Sequence, residues 1–273
     1  MSYGPSFLGG YRALITGGAQ GIGLEIARAL VAVGCRVAVV DRQVGKAAEV
    51  ASVLGEGSYC IAADITEPDE CQAAVATVLE AFGGLDILVN NAAPGRDRSM
   101  IGRISSADWD LHHSIVLLGA AAMAENTLDY LSKSNRGVII NISSVLASSV
   151  GADQASVAYH ASKAGLEQFT RWLAVRCGPM GVRVNAISPG LVDRDFGPKL
   201  SDNKVHRKII ETIVPLGRAS SGQDIANLVI FLASDAASYI TGQVVRVDGG
   251  LELNELFGAG LRIYNSMVDI EKS

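Results

Sequence analysis

Short apolar runs alternate with stretches of helical periodicity along almost the whole chain, and this alternation restricts the possible folds more than any other feature. The runs are RALIT at 12–16, RVAVV at 36–40, residues 59–63, LDILVN at 85–90, VIINI at 138–142, residues 183–187 and residues 244–248. None sustains a polar/apolar alternation, so each suits a strand covered on both faces. Between the first two runs, Leu24, Ala27, Leu30 and Val31 fall on one face of a helix over 23–33. Residues 46–54, 68–82, 107–132, 158–177 and 224–233 also read as helices, and Pro68 with its acidic neighbours suits the start of the third. A strand followed each time by a helix builds parallel pairs through crossovers. The expected class is α/β: a single domain with a doubly wound parallel sheet and helices on both faces.

Composition supports one large unit. The 273 residues are 49% hydrophobic and 19% charged, enough for a sizeable core, and neither an internal repeat nor a Pro/Ser-rich linker divides them. Residues 193–214, with Gly, Pro, Asn and scattered charges, read as a substrate lid, and residues 251–273 as a C-terminal extension. A net charge of −5 argues against a nucleic-acid partner. With no polybasic cluster, no apolar stretch of about 18 residues and no secretory leader, the sequence points to a cytoplasmic protein without a membrane partner. Cys35, Cys60, Cys71 and Cys177 form no CxxC pair and no zinc-like spacing, so reduced thiols and no metal are expected.

Thr16-Gly17-Gly18-Ala19-Gln20-Gly21-Ile22-Gly23 lies between the first strand and the first helix. Glycines there permit a tight turn and close approach of the backbone to a pyrophosphate, while the helix N-terminus offers free N–H groups and a positive dipole end. Asp41 closes the second strand 18 residues after Gly23. A carboxylate in that place accepts hydrogen bonds from an adenosine ribose and repels a 2′-phosphate, so the dinucleotide expected is NAD. Arg42 is the opposing signal, because an arginine beside the ribose can hold that phosphate instead.

Tyr159 and Lys163 stand four residues apart, on one face of a helix. A free phenol, with a pKa near 10, transfers protons poorly at neutral pH. A neighbouring ammonium favours the phenolate, which makes the pair a plausible general acid/base. The preceding strand ends in Ser143-Ser144, at the carboxyl edge where ligands of such sheets sit.

With these motifs in order the chain resembles the short-chain dehydrogenase/reductase family, in its compact single-domain Rossmann branch. The resemblance spans about residues 10–250 and rests on TGGAQGIG at 16–23, Asp41, Asp64, NNAA at 90–93, NISS at 141–144, YHASK at 159–163, NAISPG at 185–190, PLGR at 215–218 and ITGQVVRVDGG at 240–250. It implies that Tyr159 exchanges the substrate proton and that Lys163 lowers the tyrosine pKa and holds the nicotinamide ribose. Ser144 would bind the substrate oxygen, leaving Ser143 a structural role. Gly17, Gln20, Gly21, Ile22 and Gly23 would wrap the pyrophosphate, with Asp64 and Ile65 near the adenine. Asn91 and Ala92 would line the adenosine side, and Pro189, Gly190 and Val192 would border the nicotinamide. A homo-oligomer, tetramer or dimer, is also implied, the helices at 107–132 and 158–177 pairing across a two-fold axis.

Three departures from the family pattern stand out. The asparagine expected seven residues after Trp109 is Val116, which cannot hydrogen-bond. His112 and His113 precede it by a turn and read as surface histidines near a subunit contact. A threonine expected five residues after Pro189 is Arg194, within Asp193-Arg194-Asp195. Fifteen residues separate Ser144 from Tyr159, the extra length falling in the loop 148–156. The reading is an NAD(H)-dependent oxidoreductase moving a hydride between nicotinamide and a secondary alcohol or ketone, with a sugar, polyol or other cyclic alcohol as the expected small-molecule substrate. An NADPH-linked ketoacyl- or polyketide-type ketoreductase and a catalytically weak cofactor-binding sensor are the alternatives.

Overall fold

The computed structural model describes residues 3–55, 57–94, 105–151, 154–194, 199–254 and 256–271. Seven parallel strands form one sheet: β1 (Arg12–Thr16), β2 (Arg36–Asp41), β3 (Tyr59–Ala62), β4 (Ile87–Asn90), β5 (Val138–Ile142), β6 (Arg183–Pro189) and β9 (Val244–Val247), in the order β3-β2-β1-β4-β5-β6-β9. Between them run α1 (Gly21–Ala32), α2 (Ala47–Leu54), α3 (Pro68–Phe82), α4 (Ser106–His113), α5 (Ala120–Lys133), α6 (Val157–Cys177), α7 (Lys204–Ile213) and α8 (Gly222–Ala233), with α9 (Leu256–Glu271) last. The sheet is doubly wound, and its strand order reverses between β1 and β4.

The strands' two-sided burial is visible residue by residue. Ala13, Ile15, Val37, Val39, Val89 and Ile140 pack against α1 and α8 on one face. Their neighbours Leu14, Ala38, Val40, Leu88 and Ile139 pack against α3, α5 and α6 on the other. This is why the strand sequences show no polar face. Each fully buried Leu or Ile contributes about 1.5–3 kcal/mol relative to an exposed one.

Helix ends follow local chemistry. α3 opens on Pro68 with Asp69 and Glu70 in its first turn and closes at Gly83, φ 72°. α4 opens on a capping box in which Ser105 Oγ accepts the Asp108 N–H and the Asp108 carboxylate accepts the Ser105 N–H. The helix expected over 107–132 is continuous from α4 into α5, but Ser114–Gly119 between them is wound as a π-helix. A π turn inserts an extra residue and widens the helix locally, frequently at functional sites.

Residues 193–214 include more regular structure than a loop. β7 (Val192–Asp193) pairs in parallel with β8 (Ser220–Ser221), and α7 is capped by Asn203 Oδ1, which accepts the Val205 and His206 N–H groups. Asp195, part of the charged triplet noted in the sequence, lies outside the described residues, as do 152 and 153 of the loop 148–156. In the C-terminal segment 251–273, a 3₁₀ turn at Leu251–Leu253 leads into α9, which packs on α7. No helix among the described residues is long and apolar enough to cross a membrane.

Candidate active site

Parallel strands place all their carboxyl ends on one edge, and a cleft of about 350 Å³ opens there across the reversal point between β1 and β4. Its wall includes Gly17, Gln20, Gly21, Ile22, Asp41, Arg42, Asp64, Ile65, Asn91, Ala92, Ser144, Tyr159, Lys163, Pro189, Gly190 and Val192. Of the residues expected to catalyse or to bind the cofactor, Gly23 alone is outside that wall. It lies beneath the glycine turn, where a Cβ would stand 2.3 Å from the Gly17 carbonyl oxygen and 2.5 Å from Asn91 Nδ2. Its part is close packing of the first turn of α1 on the strand.

The turn itself is built for an anion. Gly17 has φ +63°, and a Cβ there would sit 2.7 Å from the Ala92 Cα. Asn91 Nδ2 donates to the carbonyls of Thr16 (3.1 Å) and Gly17 (2.8 Å), so its side chain braces the turn from β4. Thr16 Oγ1 accepts the N–H groups of Asn91 and Ala92, which ties β1 to the same bend. At the head of α1, Gln20 gives no side-chain cap, and no acidic residue occupies the first turn. The first N–H groups of α1 therefore face the cleft with the positive dipole end, a fit for a dinucleotide pyrophosphate.

Asp41 is 8% exposed at the end of β2. Its Oδ2 accepts the Ala19 N–H at 3.1 Å, and its Oδ1 accepts the Gln43 N–H at 3.0 Å. These two bonds fix the carboxylate between the glycine turn and the β2 exit. Arg42, next along, is exposed.

On the other half of the cleft, Ser144 is buried at the end of β5, and its Oγ accepts the Leu146 N–H at 3.2 Å. That bond uses a lone pair and leaves the hydroxyl hydrogen to donate. Ser143 turns the other way, donating to Glu167 Oε1 at 2.9 Å. Burial pushes the Glu167 carboxyl above the ordinary glutamate range, and the Ser143 hydroxyl and the Arg171 cation offset this only in part. Tyr159 and Lys163 lie on successive turns of α6. Lys163 Nζ donates to the Ile142 carbonyl at 2.6 Å and sits 5.8 Å from the centre of the Tyr159 ring. This bond anchors the ammonium at the end of β5, beside the Tyr159 ring. Arg194 also reaches the wall of the cleft.

Val116 lies in the π turn and is 1% exposed, packed with Ala120, Leu166 and Phe169. His113 is exposed, but His112 is 1% exposed, and this corrects its reading as a surface residue. It stands four residues before Val116 and so shares the helix face that turns toward α6. Its ring meets Tyr159 edge to face at 5.8 Å. Ser156 was not singled out from the sequence, although a serine just ahead of a helix signals an N-cap. Its Oγ accepts the Tyr159 N–H at 3.2 Å. Ile115, in the π turn, also lines the cleft without a signal in the sequence.

Comparison with known proteins adds to this geometry. A family model described as enoyl-(acyl carrier protein) reductase matches residues 17–252. The 3-oxoacyl-[acyl-carrier-protein] reductase of Aquifex aeolicus is 36% identical over 248 residues, 89% of this chain and 98% of that protein. The Vibrio harveyi protein of the same name is 35% identical over 244 residues, 89% and 98% of the two chains. Among solved structures, a Sinorhizobium meliloti protein assigned as a short-chain alcohol dehydrogenase superposes with a TM-score of 0.83 at 35% identity, covering 92% of this chain and all 100% of that one. A 3-ketoacyl-(acyl-carrier-protein) reductase from Brucella melitensis, complexed with NADH, gives a TM-score of 0.79 at 31% identity, covering 89% and 99%.

Proposed function

Because the chain belongs to the short-chain dehydrogenase/reductase family and is a nicotinamide-dependent oxidoreductase, we propose that it is a ketoreductase acting on a 3-oxoacyl substrate, with NAD(H) as its cofactor. The observation that carries the reading is the meeting of Ser144, Tyr159 and Lys163 with Asp41 and the open N-terminus of α1 in one cleft. The substrate class is drawn from the Aquifex, Vibrio and Brucella relatives, which are 3-oxoacyl reductases, and it takes precedence over the sugar or polyol expected from the sequence. Asp41 supports NAD, and the Brucella ketoacyl reductase, solved in complex with NADH, is consistent with that choice.

When bound, the nicotinamide supplies or receives the hydride. Gly17, Gln20, Gly21 and Ile22 would hold the pyrophosphate, and Asp41 the adenosine ribose. The chain's own chemistry is proton transfer. The Tyr159 phenol gives its proton to the developing alkoxide oxygen during reduction and takes it back during oxidation. The Ser144 hydroxyl donates to that same oxygen and fixes its position. The Lys163 ammonium, held by the Ile142 carbonyl, stabilises the phenolate left behind. Apolar Ile115, Ile142 and Val192 keep the reacting atoms in low-dielectric surroundings. The proposal extends to a homo-oligomer, since Trp172 and Val175 stand 60% and 81% exposed on α6.

Purified protein assayed with 3-oxoacyl thioesters and each reduced cofactor, beside sugars and polyols with the oxidised ones, tests the reading. Reduction of the thioesters with the higher kcat/KM is expected. Turnover of polyols alone would move the assignment to a polyol dehydrogenase, and no turnover of any alcohol or ketone would move it to a cofactor-binding sensor.

A further inference from the structure

Tyr159 is the third residue of α6, in the turn where a helix has no internal partner for its N–H groups. Its position therefore depends on the cap, Ser156, more than on the helix. Ser156 is 1% exposed and is held by two histidines. His112 Nε2, coming from α4, lies 3.4 Å from the Ser156 hydroxyl, and that hydroxyl accepts the Tyr159 N–H at 3.2 Å. His160 Nδ1 lies 2.7 Å from the Ser156 carbonyl, and its Nε2 lies 3.2 Å from the Gly151 N–H. A carbonyl only accepts and an amide N–H only donates, so His160 carries its hydrogen on Nδ1 and is neutral in this arrangement. It thus bridges both ends of the stretch 151–156, within the loop whose extra length separates Ser144 from Tyr159. The two imidazoles also flank the Tyr159 ring, at 5.8 Å and 81° for His112 and at 6.5 Å and 89° for His160.

We infer that His112 and His160 are positioning residues for the Tyr159 phenol, acting through Ser156: one grips its hydroxyl, the other its carbonyl and the loop ahead of it. The face that the continuous α4–α5 helix turns toward α6 carries Val116, whose side chain offers no hydrogen bond, and a turn earlier, in α4, it carries His112, which does. The inference rests on the proposed role of Tyr159 as the proton-transfer group. Small displacements of a reacting group are costly, with about 1 Å worth on the order of a hundredfold in rate.

The test compares His112→Phe and His160→Phe, which keep an aromatic ring without its nitrogens, with His112→Gln and His160→Asn, which return a polar atom at similar reach. Ser156→Ala and Tyr159→Phe complete the set. The Phe variants are expected to lose about tenfold or more in kcat while NADH affinity, read by cofactor fluorescence, stays within about twofold. The Gln and Asn variants should recover most of the loss. His112→Phe should cost no more than Ser156→Ala and add nothing to it, because His112 acts through the hydroxyl that Ser156→Ala removes, whereas His160→Phe should lower kcat further in that variant, since the backbone carbonyl it grips remains. Wild-type kcat in the Phe variants, losses that Gln and Asn do not recover, or an equal loss of NADH affinity would each overturn the inference. If Tyr159→Phe itself retains activity, the proposed function fails instead, and the two failures are thereby told apart.

Discussion

Replacing Asp41 is the sharpest test of cofactor choice, and the geometry dictates which replacement to use. Both carboxylate oxygens accept backbone N–H groups, from Ala19 and Gln43. In Asp41→Asn, either orientation of the amide would turn its NH2 toward one of those donors, so that variant would disturb the glycine turn as well as the charge. Asp41→Ser removes the charge, keeps a hydroxyl acceptor and costs the fold about 1–2 kcal/mol for the weakened amide contacts. In the native protein, a carboxylate about 5 Å from a 2′-phosphate of charge near −1.5 is repelled by about 1 kcal/mol at the dielectric of water and about 5 kcal/mol at an effective value of 20. A middle figure of about 2–3 kcal/mol is reasonable for a group at the rim of a cleft. Loss of the charged hydrogen bonds to the ribose weakens NAD by a further ~1.5–3 kcal/mol. Together the ratio of kcat/KM for NAD over NADP should fall by about 3 × 10² to 2 × 10⁴ in Asp41→Ser, each factor of ten being ~1.4 kcal/mol. Steady-state kinetics with both cofactors at fixed 3-oxoacyl substrate reads this directly. An unchanged ratio, or a native preference for NADP, would refute the reasoning and make the adjacent Arg42 the residue that governs the pocket.

Tyr159→Phe should abolish turnover with NADH binding largely intact, whereas Lys163→Ala, which also frees the Ile142 carbonyl, should damage both; titration calorimetry beside kcat separates the two. Val116→Asn should change kcat by less than about tenfold, yet lower stability by about 1–3 kcal/mol, because its amide would enter the apolar contact of Ala120, Leu166 and Phe169; denaturant melts measure this. Burial pushes the Asp86 carboxyl up, but the Arg12 guanidinium and backbone N–H and the Ser134 hydroxyl outweigh it and hold it below the ordinary aspartate range. Its stabilisation is therefore complete above about pH 4 and fades as pH falls through the lowered folded value. Asp86→Asn should cost about 2–3 kcal/mol at neutral pH, discounted because Arg12 is 26% exposed, and should flatten the acid limb of the stability curve. Burial, with a smaller contribution from the Asp86 charge, pushes the Cys35 thiol up to about 12, so alkylation at pH 8 should spare it until the protein unfolds; rapid labelling of the native protein would contradict this.

Much of the architecture was legible along the chain because each strand carries its own signature of two-sided burial and each helix its own periodicity. The expected helix over 68–82 and strands over 12–16 and 138–142 coincide with α3, β1 and β5, while the other elements differ by at most two residues at an end, where hydrogen bonding to a neighbour sets the boundary. The chain also determined that Gly17, Asp41, Ser144 and Tyr159 would share one edge, since parallel strands align all their carboxyl ends. What only the tertiary structure decided depends on partners far apart in sequence. The β7–β8 pair exists because residues 192 and 220 meet, and neither two-residue strand has a local signal. Periodicity puts His112 on the face of Val116, but only the packing of α4 on α6 brings its ring to Ser156 and Tyr159. In the same way Gly23 and Asn91 carry the marks of cofactor contact in the sequence, and the folded chain turns Gly23 under the turn and spends the Asn91 amide on bracing it. Local sequence sets which face of an element is apolar or polar. The neighbour that face meets is chosen by long-range packing.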